Sequence, residues 1–390
     1  MTTIEAAAGE TVAWSDGKRY LWLLGLAIPL LPFMAWGLVS LTGLGVFWWW
    51  GPIFMYGLLP LVDTLVGTDA ANPPEAIVAR LDADRYYRWC TYLYLPLQYG
   101  ALVWAAWRVV RGMPWYDALG LTLTTGVVNG VAINTAHELG HKRIGLERWL
   151  SKVALAPTAY GHFFIEHNRG HHLRVATPED PASSRLGESF WAFWPRTVKG
   201  SFLSAWRLEA ARLARSNRRA WSIRNDLWSA WAMTVVLWGA LIGWLGWRAV
   251  PFLVVQAVFG FSLLEVVNYL EHYGLRRQKE ANGRYERCRP EHSWNSNNVA
   301  SNVVLYHLQR HSDHHANPTR RFQSLRHFDE APQLPSGYGT MIVLAYLTPL
   351  WRRVMDPRVA AHYGGDLSRA AIQPGREAEI LGSPAVAEAA

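Results

Sequence analysis

Only two cysteines, Cys90 and Cys288, occur in 390 residues. One lies in an apolar stretch and the other in a polar one, so neither a disulfide framework nor a thiolate metal cluster is available. The chain also lacks a glycine-rich phosphate loop, a dinucleotide fingerprint, a haem motif, a Cys-x2-Cys pair and any internal repeat, which leaves it without a nucleotide or redox carrier of its own. Acids are scarce in the apolar runs, where only Asp63 and Glu265 lie well inside. A metal transporter would thread ionisable groups through the middle of its spans. The net charge of +8 comes with no nucleic-acid motif, and arginines beside hydrophobic runs are more simply cytoplasmic flanks of membrane segments.

Apolar surface is what the chain has in quantity: 51% of its residues are hydrophobic, 22 are tryptophan, and 17% are charged. Runs of about spanning length fall at 20–43, 45–66, 89–110, 117–137, 227–247 and 250–271. They are hydrophobic all round and rich in Trp near their ends, unlike the striped helices of a soluble α-protein. The expectation is an all-α integral membrane protein, a six-transmembrane-helix bundle with a cytoplasmic histidine-rich helical cap. Three of the links are short, whereas 67–88, 138–226 and everything after 271 are long, polar and on one side. That side carries fifteen Lys and Arg between 138 and 226, against Arg108, Arg111 and Arg248 near the other face, and by the positive-inside rule it is the cytoplasm.

The divisions follow. Residues 1–19 form a cytoplasmic N-terminal segment, with no cleavage site after Lys18 and Arg19. Residues 20–271 form the membrane bundle, including the cytoplasmic insertion 138–226. Residues 272–365 form the cap, in which the apolar run 337–351 is too short to span and is buried or interfacial. Residues 366–390, rich in Ala, Gly, Pro and Glu, read as a flexible tail or linker.

Nine of the 14 histidines fall in four tight groups: His137 and His141; His167, His171 and His172; His272; and His311, His314 and His315. Spacings of three, four and one put imidazoles on a shared helical face or at a helix end, as metal ligation requires. The fourth and sixth spans end at His137 and His272 on the side that holds the other two groups, so all nine can converge. A lone His-x3-His pair is often a surface pair; four such groups on one face are not. One zinc needs three or four protein ligands, so nine imidazoles suggest two metals with four or five each. Histidine alone does not choose among zinc, copper, nickel and iron. The opening HELGH is also the HExxH of zinc proteases, with Glu138 as base, but an intramembrane zinc protease needs one further ligand, not seven.

These residues resemble a known family, the integral-membrane alkane monooxygenases (alkane 1-hydroxylases) of the histidine-box desaturase and hydroxylase group. The resemblance is carried by HELGHK at 137, EHNRGHHLRVATPEDPASSRLGES at 166, NYLEHYGLRR at 268, HSWNS at 292 and LQRHSDHHANPTRRFQSLRH at 308. MIVLAYLTPLWRRVMDPR also looks like the family's ending, with Thr348 where proline is more usual. The resemblance implies a six-span bundle holding two non-haem iron ions on those nine histidines, with His162, His292, His307, His327 and His362 outside the site. It implies terminal hydroxylation of medium-chain n-alkanes to 1-alcohols with O2. Electrons would come from rubredoxin, reduced upstream by rubredoxin reductase, at the cytoplasmic side of a bacterial inner membrane. Related readings are a methyl-group hydroxylase of alkyl-aromatics such as xylene and a membrane fatty-acyl desaturase.

Further expectations concern the surroundings. A terminal C–H bond is stronger than an internal one, so terminal selectivity demands a narrow apolar channel that presents the chain end first; Phe54 and Met55 are candidates to limit its length. Glu138, Glu166, Glu271 and Asp313, each next to a proposed ligand, are candidate partners for the second nitrogen of a metal-bound imidazole. Arg207, Arg212, Arg215, Arg218 and Arg219 suggest a basic face for an acidic carrier or for membrane lipid headgroups. The tail would suit a linker to a fused rubredoxin, as in some relatives.

Overall fold

The computed structural model describes residues 3–5 and 11–382, with side chains from Trp14 onward. Part of the expected segment 1–19 and the last eight residues of the expected tail lie outside the described residues. Apart from one antiparallel pair of three-residue strands, Thr3–Glu5 with Thr11–Ala13, and isolated bridges, the described regular structure is helical.

Twelve helices position the site. They are α1 (Leu21–Thr42), α2 (Gly45–Val66), α3 (Tyr94–Val110), α4 (Trp115–Gly140), α5 (Gly145–Leu155), α6 (163–174), α7 (Phe190–Ala214), α8 (Asp226–Leu245), α9 (Ala249–His272), α10 (His311–Ala316), α11 (Tyr338–Tyr346) and α12 (Thr348–His362). Four of them, α1, α2, α8 and α9, are long and apolar enough to cross a membrane, and the protein is an integral membrane helical protein. The two remaining expected spans differ from these for physical reasons. Helix α3 has 17 residues and is set off from the preceding helix Arg85–Tyr92. Helix α4 is encased by its neighbours over most of its length from Gly120 to Gly140, so it tolerates Thr124, Thr125, Asn129 and Asn134, which lower its hydropathy.

Helix α4 is the axis of the bundle and packs most extensively on α9. The two backbones touch at glycines: a Cβ on Gly130 would stand 2.8 Å from Gly260 O, and one on Gly260 would stand 3.1 Å from Gly126 O. Small residues at such a seam let helices approach where no hydrophobic drive separates them from lipid. A buried polar ladder adds specificity, with Gln98 donating to Asn129 (3.0 Å), Asn129 to Gln256 (2.7 Å) and Gln256 to Pro157 O (2.7 Å). Each of the three side chains donates to the next acceptor in the ladder, as groups buried away from water require.

The apolar run 337–351 becomes α11 and the start of α12, folded back with Tyr338, Met341, Ile342 and Ala345 buried. Residues 367–373 of the expected flexible tail are seated against the loop at Leu186. Leu367 and Ala370 are buried, and Leu186 donates to Ala371 O (2.6 Å) while Gln373 donates to Leu186 O (3.0 Å). Composition suggested a linker, but spaced apolar residues and one bridge of extended backbone are enough to dock it.

Candidate metal centre and substrate cleft

All nine box histidines meet where α4 and α9 run out. His137 and His141 are one turn apart at the end of α4, and His272 is the last residue of α9. His311, His314 and His315 sit on α10, whose first turn is held by Asn295 of HSWNS: its Oδ1 accepts from both Ser312 N and Ser312 Oγ at 3.0 Å. Trp294 of the same motif donates its indole N–H to Tyr273 O at 2.9 Å, tying this loop to the end of α9.

The rings sort into two sets whose ligand atoms lie within 4.8 Å of one another: His137, His141, His167, His172 and His314 in one, and His171, His272, His311 and His315 in the other. The second box is divided between them because α6 contains a π turn at His167–His171. In a regular α-helix, His172 would point roughly 140° away from His167. The wider turn instead brings their Nε2 atoms to 3.1 Å and turns His171 to the other set.

The donor chemistry fits cations. His172 Nε2 lies 3.1 Å from His167 Nε2 and 3.0 Å from His314 Nε2, and His315 Nε2 lies 2.9 Å from His311 Nε2. The Nε2 atoms of His137, His141, His171 and His272 are buried without a hydrogen-bond partner among the described residues. Imidazole nitrogens converging this way cannot all donate or all accept, and a shared metal ion satisfies them. Burial, followed by the neighbouring rings, holds His141, His167, His172, His311, His314 and His315 far below the usual histidine range. All are therefore neutral, the form that binds metal.

The groups that orient these rings differ from those expected. His171 Nδ1 donates to Asp180 Oδ2 at 2.9 Å, and His272 Nδ1 is 3.2 Å from His292 O. Asp180 was not legible in advance, because a loop aspartate nine residues beyond its histidine has no periodic relation to it. Glu138 is held by Lys142 (3.0 Å) and Phe322 N (3.4 Å), and this removes it from the water-activating role of a protease. Glu166 pairs with Arg174, and Asp313 with Arg320, both at 2.9 Å. None of these three carboxylates bonds one of the nine rings, since each has a basic partner within eight residues. Glu271 alone of the four reaches one, with Oε2 at 3.3 Å from His311 Nε2.

The remaining histidines are outside both sets. His307 lies 2.9 Å from Phe322 O and 3.3 Å from Lys18 Nζ; His292 faces Glu286 and His327 faces Asp329. His162 is buried between Tyr160 and Phe202, and His362 stacks edge-on with Tyr363.

An apolar cleft with a cavity volume of about 50 Å3 abuts the histidines. Met55 and Leu59 of α2, Leu263 and Val267 of α9 and Ile342 of α11 line it together with His137, His167 and His311. Met55 is buried in this wall. Phe54 is not among its lining residues: its ring is half-buried against the core one residue round the helix.

The fatty acid desaturase family model matches residues 113–345. The alkane 1-monooxygenase of Acinetobacter baylyi is 49% identical over 383 residues, covering 96% of this chain and 93% of the relative. Alkane 1-monooxygenase 1 of Alcanivorax borkumensis is 49% identical over 369 residues, covering 94% and 91%. The xylene/toluene monooxygenase hydroxylase component of Pseudomonas putida is more distant, at 27% identity over 314 residues, with 79% and 81% covered. Identity near one half, sustained over more than nine tenths of the chain, makes it a member of the alkane 1-monooxygenase family.

Proposed function

We propose that this protein hydroxylates the terminal methyl group of medium-chain n-alkanes to 1-alcohols with O2, using two non-haem irons held by the nine histidines. The observation that carries the reading is the junction of the two imidazole sets with an apolar cleft: His137, His167 and His311 belong both to the sets and to the cleft's lining. When bound, two irons supply the oxygen activation that an unactivated C–H bond demands. The protein's own part is positioning. Met55, Leu59, Leu263, Val267 and Ile342 line a path that a linear chain enters end first, which favours the methyl group over weaker internal C–H bonds. His171 and His272 keep their Nε2 atoms turned inward because Asp180 and His292 O engage the other nitrogen, and burial excludes water from the site.

The two electrons of each turnover come from outside, from rubredoxin and upstream its reductase. Arg207, Arg215, Arg218 and Arg219 are exposed and have no acidic partner among the described residues, whereas Arg212 is engaged by Glu209; the first four supply a basic landing face. In this reading α3 and α4 cross with the four apolar helices to make six spans, and the histidine cap faces the cytoplasm of a bacterial inner membrane. The deeper likeness to alkane than to xylene/toluene monooxygenases favours a linear substrate.

Iron analysis of the purified protein, with product identification from octane and xylene under reduced rubredoxin and oxygen, tests this. Two irons per chain and 1-octanol as main product are expected. Iron-free active protein, or turnover indifferent to oxygen, would overturn the proposal.

A further inference from the structure

The two histidine sets are unequal, with five imidazoles against four. Beside the smaller set stands a carboxylate with an unusual environment. Glu271, 1% exposed, immediately precedes His272 on the last turn of α9 and lines the cleft together with His311. Its Oε1 accepts the Tyr338 hydroxyl at 2.7 Å, which leaves Oε2 facing the set at 3.3 Å from His311 Nε2. Tyr338 is itself fixed, fully buried and with its backbone N–H given to Gln309 Oε1 at 3.0 Å.

Glu271 is distinguished by what it lacks. Among the described residues, several other buried acids have basic partners: Glu138 with Lys142, Glu147 with Arg321, Glu166 with Arg174, Glu188 with Arg196 and Asp313 with Arg320. Asp180 and Asp63 have no Lys or Arg partner; Asp180 accepts from Ser183 and His171, and Asp63 accepts from Ser301 N at 2.8 Å, far from the four-histidine set in sequence. Glu265 has none, but its carboxylate accepts from Tyr160, Thr197 and Asn268. Among the described residues Glu271 has no Lys or Arg partner and one hydroxyl donor, and the second oxygen meets neutral imidazole. A buried carboxylate in that position is stabilised by a cation, and the group beside it that could hold one is the four-histidine set.

We infer that Glu271 is the fifth protein ligand of the metal held by His171, His272, His311 and His315, an inference that rests on the metal reading above. Both metals then have five protein donors, but of different character. The first set is all imidazole and neutral. The second carries one hard anionic oxygen on its cleft side, a donor that favours the more oxidised metal. Tyr338 acts as a positioning residue that holds Oε1 and aims Oε2.

The test uses the full-length protein in lipid nanodiscs, loaded with 57Fe(II) alone and read by Mössbauer spectroscopy and chelator competition, without turnover. Glu271→Gln is expected to change the signal of one iron and spare the other, and to weaken that one iron at least about tenfold. Tyr338→Phe is expected to keep both irons while changing the quadrupole splitting of the same one. Matching melting curves of the iron-free proteins separate lost ligation from lost fold, and Tyr338→Phe carries the test if Glu271→Gln does not fold. Glu271→Gln with both irons at wild-type affinity and unchanged spectra overturns the inference, as does equal weakening of both, and so does an unchanged spectrum of Tyr338→Phe. Wild-type protein holding fewer than two irons, or iron binding indifferent to His172→Ala, would instead remove the metal reading itself.

Discussion

The Oδ2 of Asp180 lies 2.9 Å from Nδ1 of His171 and also accepts the Ser183 hydroxyl at 2.6 Å. Burial works against this carboxylate's charge, but His171 and Ser183 outweigh it and hold Asp180 below the usual range. An ionised partner fixes the imidazole tautomer and strengthens the ligand. Asp180→Asn is expected to weaken iron at the four-histidine set about 10- to 100-fold and to leave the other set intact. Equal loss from both sets, measured by chelator competition, would show a general folding defect instead.

Met55 and Phe54 are adjacent in sequence and differ in consequence. Met55 forms the cleft wall and Phe54 packs outside it, so Met55→Ala should lengthen the alkanes accepted while Phe54→Ala leaves the product range unchanged. Gas chromatography of products from a series of n-alkanes distinguishes them. Longer products from Phe54→Ala would mean that the wall deforms as a unit.

If the free arginines steer an acidic carrier, charge reversal at Arg218 and Arg219 should raise the KM for rubredoxin several-fold and leave kcat with saturating carrier nearly unchanged. The wild-type rate at low carrier should fall with added salt, because exposed charges are screened beyond about 8 Å at physiological ionic strength. A salt-independent rate would remove steering from the account.

Asp356 on α12 gives a pH signature remote from the histidines. Burial is the main influence and raises its carboxyl to about 6, against the opposing effects of the Tyr273 hydroxyl and Arg352. Because the folded value lies above the unfolded one, the folded state binds the extra proton between about pH 4 and 6, and stability declines as pH rises through that window. Asp356→Asn should flatten this decline and stabilise the cap at pH 7 by about 1 kcal/mol, a figure reduced for partial exposure. Melting temperatures from pH 4.5 to 7.5 check both effects.

The histidine groups were legible because their spacing and the ends of the apolar runs gave independent reasons for convergence. The allotment of rings to sets was not, since helical periodicity assigns His167 and His171 to one face whereas the π turn pairs His167 with His172. Carboxylate partners were guessed by adjacency, and adjacency in a helix turns side chains apart; Glu138, Glu166 and Asp313 went to nearby Lys and Arg, while the true contact of His171 came from a loop. Helix α4, read from the sequence as the apolar run 117–137, carries more polar residues than α1, α2, α8 and α9 for a different reason: a helix surrounded by protein need not be greasy.

The π turn at His167–His171 makes length, as well as composition, part of the box. Deleting one residue between those histidines would restore a tighter helix and rotate the downstream rings, so that both sets would compete for the same imidazoles. Drift by substitution is open to this segment in a way that drift by insertion or deletion is not. A relative with a shortened second box would therefore have had to rebuild both sets, not lose a single ligand.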